Sequence, residues 1–171
     1  YEILCASGET PPNLQGIWAG TNQPCWSGDY TQNGNIQTAI LCNLPGNMFE
    51  MMDSFINYEE FLIPDNKVNA ETLYGARGMM LACRGNRHGL ANHFGHRWCM
   101  TFWTAGAAWN SHFFYDYYLY SGDKEFFLKH ALPYMKECAL FYEDFLIEDE
   151  NGKWLFTPSY SPENNPTGSE A

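Results

Sequence analysis

The segment TFWTAGAAWNSHFFYDYYLYSGDKEF, residues 101–126, constrains the fold more than any other. Apolar and aromatic side chains fall on nearly every face of its helical projection until Ser121-Gly122-Asp123 stops the run. That pattern predicts a helix buried all round, which must therefore pack among other helices rather than lie on a surface. It does not predict a membrane span, because Asn110, Ser111, His112 and Asp116 interrupt the richest part, Phe102 to Tyr120.

The flanking segments supply the neighbours. PGNMFEMMDSFINYEEFLIPDN places Met48, Met51 or Met52, Phe55 and Tyr58/Glu59 at helical steps, and Pro64-Asp65-Asn66 is expected to close that helix. Asp123 can cap a short helix. Pro133 then opens another, with Met135, Cys138, Ala139, Tyr142, Phe145 and Leu146 as its predicted apolar stripe. NGKWLFTP reads as a turn and a short extended piece, and Asp149-Glu150-Asn151-Gly152 as a solvated turn rather than a calcium loop.

The predicted class is all-α, with helical pairs in series. The loops between them, Glu9 to Gln32 and Cys83 to Trp98, are longer than a self-contained bundle needs and are filled with Asn, His, Arg, Trp and Gly. Loops of that kind on a helical scaffold tend to carry function. A toroid of helical hairpins with a polar, aromatic-lined mouth fits this arrangement, with the present chain as one part of it.

Charge narrows the partner. With 9 Lys+Arg against 20 Asp+Glu, a formal net charge of -11 and no basic run, the chain offers no electrostatic footprint for nucleic acid or an anionic membrane. A neutral ligand is expected. The cysteines, Cys5, Cys25, Cys42, Cys83, Cys99 and Cys138, form no CxxC pair and read as free thiols. His88, His93 and His96 are broken by Gly89 and Gly95 and have no carboxylate among them, so no metal site is predicted, and no other cofactor is implied.

Near the C-terminal end, TPSYSPENN holds Glu163 between Pro162 and two asparagines. A carboxylate on such a rigid, irregular loop is either a surface acid or an aimed one. Tyr160, Pro158 and Pro162 surround it in sequence and no Lys or Arg lies nearby, so desolvation could raise its pKa. In YTQNGNIQ, Asn33 and Asn35 would project to one side of an extended segment, although Asn33-Gly34 is also a tight-turn signal.

In chain order, PPNLQGIWAG, WSGDYTQNGN, LYGARG, FWTAGAAW, YLYSGDKEF and PSYSPEN resemble successive motifs of the glycoside hydrolase family 95 catalytic domain. The resemblance runs over nearly the whole of residues 1–171. It implies part of an (α/α)6 barrel that removes a terminal α-linked L-fucose or L-galactose-like sugar from an oligosaccharide, with inversion. It also implies a fragment, and hence no turnover by this chain alone.

Inversion needs a protonated carboxyl at the leaving oxygen and a base holding a water on the opposite face, about 6.5–9.5 Å away. The resemblance makes Glu163 the general acid. It makes Asn33 and Asn35 the pair that orients the water, helped by an aspartate much later in the domain.

Sugar recognition needs flat apolar surfaces and fixed polar groups. Trp18, Trp26, Trp98, Trp103 and Trp109 are the candidate platforms, with Trp18 and Trp26, in loop segments, preferred over Trp103 and Trp109, which lie on the helix expected to be buried. Asn22, Asp29, Arg77, His88, Asn92 and His93 are the candidate polar contacts. For Arg77 an ion pair across loops is an equal alternative. After LYGARG the family usually carries His-Asn-Thr-Asp, but MMLACRGNRHGLANHF stands here, which leaves L-fucose and L-galactose both open. Two other readings also stay open: a glycan-binding helical module without turnover, and a hydrolase or phosphorylase of another (α/α)6 family.

Overall fold

The computed structural model describes residues 8–16, 20–92 and 99–161. The described residues are mostly helical, and the all-α expectation holds. In chain order they form β1 (Tyr30–Thr31), α1 (Asn35–Ile40), α2 (Asp53–Tyr74), β2 (Arg84–Gly85), α3 (Gly106–Ser121), α4 (Leu132–Phe145), β3 (Ile147–Glu148) and β4 (Trp154–Leu155). A short helical turn, Lys124–Phe126, and a wider π-type turn, Phe127–Ala131, lead without a break into α4.

Helix α2 does not close at Pro64 as the sequence suggests; it continues to Tyr74. Proline removes one backbone donor and crowds the preceding turn. Here Pro64 lies on the exposed side, while the turns beyond it are anchored on the buried side. Asn69 Nδ2 donates to the carbonyls of Met80 (3.1 Å) and Gly89 (2.7 Å), and the Asn66 carbonyl accepts from the Met80 N–H at 3.0 Å. The helix ends instead at Gly75, whose left-handed backbone (φ 63°) lets its N–H return to Glu71 at 2.9 Å.

Helix α3 stops at Gly122, as its sequence predicts, but it is not buried all round. Gly106, Ala107, Asn110, Phe113 and Phe114 face the core, whereas Trp109, Leu119 and Tyr120 are exposed. Asp123 Oδ1 then accepts from the N–H groups of Glu125 and Phe126 and caps the next turn. In α4 the buried stripe is Tyr134, Cys138, Phe141 and Phe145, rotated from the predicted one so that Ala139 is exposed. The reason is the partner face: Tyr134 stacks on Phe114 of α3 at 4.2 Å, and Phe141 and Phe145 pack edge-on against Tyr74 of α2.

Two small antiparallel pairs complete the scaffold. β3 and β4 form a hairpin turned by Asp149, which accepts from the N–H groups of Asn151 and Lys153. β1 pairs with β2, Tyr30 opposite Gly85 and Thr31 opposite Arg84. That pairing ties together the two long loops that the sequence marks as functional. Cys25, Cys42, Cys99 and Cys138 are free thiols, and burial pushes the Cys138 thiol up to about 12.

Candidate active site

The β1–β2 pairing continues past Thr31, where the Gln32 N–H donates to the Cys83 carbonyl at 2.8 Å. The chain then turns through Gln32, Asn33 and Gly34 into α1. This corrects the extended geometry expected for the Asn-x-Asn pair. Gly34, at φ 126°, begins the helix, and Asn35 is its first residue. Asn35 is exposed and Asn33 half-buried, with Asn33 Oδ1 enclosed and without a hydrogen-bond partner among the described residues. An enclosed acceptor left without a partner costs about 1–3 kcal/mol, so the turn that holds it there needs a cause.

That cause lies beneath the turn, in a buried polar network that the sequence reading did not identify. Glu59 of α2, Asn110 of α3 and Gln32 are completely buried, and Gln37 of α1 nearly so. Glu59 Oε1 accepts from Gln32 Nε2 at 2.8 Å and Oε2 from the Tyr134 hydroxyl at 3.0 Å. Asn110 Nδ2 donates to Gln32 Oε1 at 3.2 Å, and Asn110 Oδ1 accepts from Gln37 Nε2 at 2.7 Å. Burial pushes the Glu59 carboxyl up from its ordinary value, opposed by hydrogen bonds from Gln32, Asn110 and Tyr134. A sequence signal did exist: Glu59 falls on a helix face with Phe55, Ile56 and Leu62, and Asn110 on one with Ala107, Phe113 and Phe114.

Trp109 is the second residue placed differently from its sequence reading. It is 42% exposed, and its ring edge lies 3.8 Å from where a Cβ on Gly34 would stand. A broad aromatic surface therefore borders the Asn33 turn, at a residue that its sequence context ranks below Trp18 and Trp26. Trp103 is buried, with Met100 and Cys83, as a packing residue should be.

The remaining candidates divide. Asp29 is buried with its oxygens engaged, Oδ2 with Arg84 at 2.8 Å and Oδ1 with the Thr31 hydroxyl at 2.8 Å, so it pins the β1–β2 junction. Arg77 is exposed and grips Asp144 and Glu143 of α4, holding the Asp144 carboxyl down at about 2; this is the ion-pair alternative for Arg77. Trp26 is exposed in a left-handed turn (φ 49°), and Asn22 is exposed nearby in sequence. His88 is half-buried with Nδ1 unpartnered among the described residues, and Asn92 is exposed. Glu163, Trp18, Trp98 and His93 lie outside the described residues.

The segment that leads to Glu163 docks on the same framework. The Tyr160 N–H donates to the Phe102 carbonyl at 3.1 Å, and the Ser159 and Thr104 hydroxyls are 2.8 Å apart. The Tyr160 ring packs on the cluster of Cys83, Met100 and Trp103. Cys83 thus meets Gln32, next to Asn33, through its carbonyl and belongs to the cluster on which Tyr160 packs.

Comparison with known proteins places this framework in a family. Residues 3–171 match the glycosyl hydrolase family 95 catalytic domain. Alpha-L-fucosidase 2 of Arabidopsis thaliana is 31% identical over 96% of this chain and 20% of its own length. Probable alpha-fucosidase A of Aspergillus niger is 32% identical over 94% of this chain and 21% of its own length. The chain therefore spans about a fifth of the curated relatives it matches, and on the extent of these matches it belongs to the glycosyl hydrolase family 95 catalytic domain.

Proposed function

We propose that the protein is a glycoside hydrolase that removes a terminal α-linked L-fucose or L-galactose-like sugar from an oligosaccharide with inversion, and that this chain is part of the (α/α)6 barrel that does so. The docking of two segments on one framework, which contains Cys83, carries the reading. Gln32 hydrogen-bonds the Cys83 carbonyl, and Tyr160 packs on the cluster that includes Cys83. The chain from Tyr160 to Glu163 reaches at most about 11 Å. In this reading an acid on the Tyr160 segment faces a water held by the Asn33 turn across a sugar, and inversion requires the two to stand about 6.5–9.5 Å apart.

Glu163 protonates the leaving oxygen as the glycosidic bond breaks. Asn33 and Asn35 orient the attacking water, and a carboxylate from elsewhere in the domain takes its proton, since a carboxamide is no base. Trp109 and Trp26 offer apolar faces to the sugar ring, and His88 a polar contact. The relatives' names support the fucosidase reading, and the acidic surface suits a neutral glycan over an anionic partner.

The test is Glu163→Gln in the protein that carries this chain within its whole catalytic domain. Turnover of a fucosyl oligosaccharide should fall by about 10²–10⁴, whereas an activated aryl fucoside, whose leaving group needs no proton, should suffer far less. Equal rates for mutant and parent on the oligosaccharide would make Glu163 an ordinary loop acid. Sugar binding by a parent with no turnover would instead indicate a glycan-binding module.

A further inference from the structure

The Gln37 side chain bridges the two peptide groups on either side of Asn33. Its Nε2 donates to the Gln32 carbonyl at 2.6 Å, and its Oε1 accepts from the Gly34 N–H at 2.9 Å. Those two peptide planes define the backbone torsions of Asn33, so one carboxamide fixes both. A helix cap would need only the bond to Gly34.

The carboxamide is also held against reversal. The second proton on Gln37 Nε2 goes to Asn110 Oδ1, the Asn110 amide goes to Gln32 Oε1, and the Gln32 amide goes to Glu59 Oε1. Gln32 Nε2 donates to Oε1 of the fully buried Glu59 on α2, so each amide between that bond and the turn has its donor and acceptor ends fixed by the next. A buried polar chain of this length is costly unless fully satisfied, and here it ends on the residue whose own Oδ1 is enclosed and unpartnered among the described residues.

We propose that Gln37 is a positioning residue for the hydrolytic reaction: clamped by Asn110, Gln32 and Glu59, it holds the Asn33 turn in the geometry that orients the attacking water. The proposal rests on the reading of Asn33 and Asn35 given above. Gln37 itself touches no reacting atom.

The experiment compares Gln37→Met with the parent, in the whole catalytic domain, by steady-state kinetics on an aryl α-L-fucoside and by hydrogen exchange at the Gly34 amide. Gln37→Met should lower kcat by about 10–10²-fold with KM changed by no more than about 3-fold, because the turn shifts while sugar contacts remain. The Gly34 amide, slow to exchange in the parent, should exchange faster. Combined with Asn33→Ala, the two effects on kcat should be far from additive. An unchanged kcat in a folded variant, or full additivity, overturns the positioning role. Where Gln37→Met does not fold, Gln37→Glu keeps the shape and the acceptor for Gly34 but loses the donor to Gln32, and its kcat must fall as well. An unprotected Gly34 amide in the parent overturns the clamp without any variant. A parent without turnover on fucosides or galactosides, but with a protected Gly34, sinks the functional reading and the positioning role with it while leaving the clamp as structure.

Discussion

Replacing Glu59 separates the worth of its hydrogen bonds from the cost of its charge. Glu59→Leu leaves Gln32 Nε2 and the Tyr134 hydroxyl, both fully buried, without their acceptor. Each orphaned donor costs about 1–3 kcal/mol, so about 2–6 kcal/mol in total, a large part of an ordinary domain stability of about 5–15 kcal/mol. Glu59→Gln keeps one acceptor for Gln32 and turns its own amide toward Tyr134, whose hydroxyl can accept, so against the protonated parent its cost should be below about 1 kcal/mol. The pH dependence then has a definite sign. Burial raises the Glu59 pKa in the folded state, so the stability linked to its proton is fully present below the unfolded value of about 4.3 and is lost as pH rises through the folded value. The Glu59→Gln variant has nothing to titrate at this position. Urea unfolding followed by circular dichroism between pH 4 and 8 should therefore show Glu59→Gln gaining on the parent as pH rises, with Glu59→Leu well below both at low pH. A difference between parent and Glu59→Gln that is flat with pH, or a Glu59→Leu variant as stable as Glu59→Gln, would refute the reasoning.

Gly78→Ala should be severely destabilising, since its backbone is left-handed (φ 70°) and an added Cβ would meet the Glu137 carbonyl, the Phe141 nitrogen at 2.5 Å and Leu140 Cβ at 3.0 Å. Left-handed strain of about 1–2 kcal/mol plus overpacking of about 1–3 kcal/mol gives about 2–5 kcal/mol in urea unfolding, and a loss below about 1 kcal/mol would mean that α4 is not seated there. Arg77→Ala should leave KM for a fucoside unchanged and return the Asp144 carboxyl from about 2 toward its ordinary value, read by NMR titration. A raised KM would bring Arg77 back as a substrate contact.

Local signals carried much of the fold. Ser121-Gly122-Asp123 ends α3 and begins the next turn because a left-handed glycine and an Asx cap act through their own neighbours. What tertiary contact decides was not legible. Pro64 carries every local mark of a helix end, yet Asn66 and Asn69 bond to residues 80 and 89 and carry α2 through. The buried stripe of α4 turns toward Tyr134 and Phe141 because Phe114 and Tyr74, remote in sequence, choose which face is covered.

The same division runs through the site. Of the two geometries open to Asn33 and Asn35 in the sequence, the structure has the tight turn and not the extended segment, and the turn depends on a glutamine clamped through Asn110 and Glu59 from two other helices. Trp109 ranks low as a platform from sequence because a helix so rich in aromatics should be covered on every side. In the described residues that cover is missing: Trp109, Leu119 and Tyr120 stay exposed on α3, and Trp154 and Phe156 on and beyond β4. Exposed aromatic surface of this extent is unusual on a protein surface and marks a face that binds something. Trp109 differs from the others in standing against the Asn33 turn. Under the proposed reading, proximity to Gly34 is the physical reason to give Trp109 to the sugar, while Leu119 and Tyr120, exposed on the same helix, do not approach Gly34.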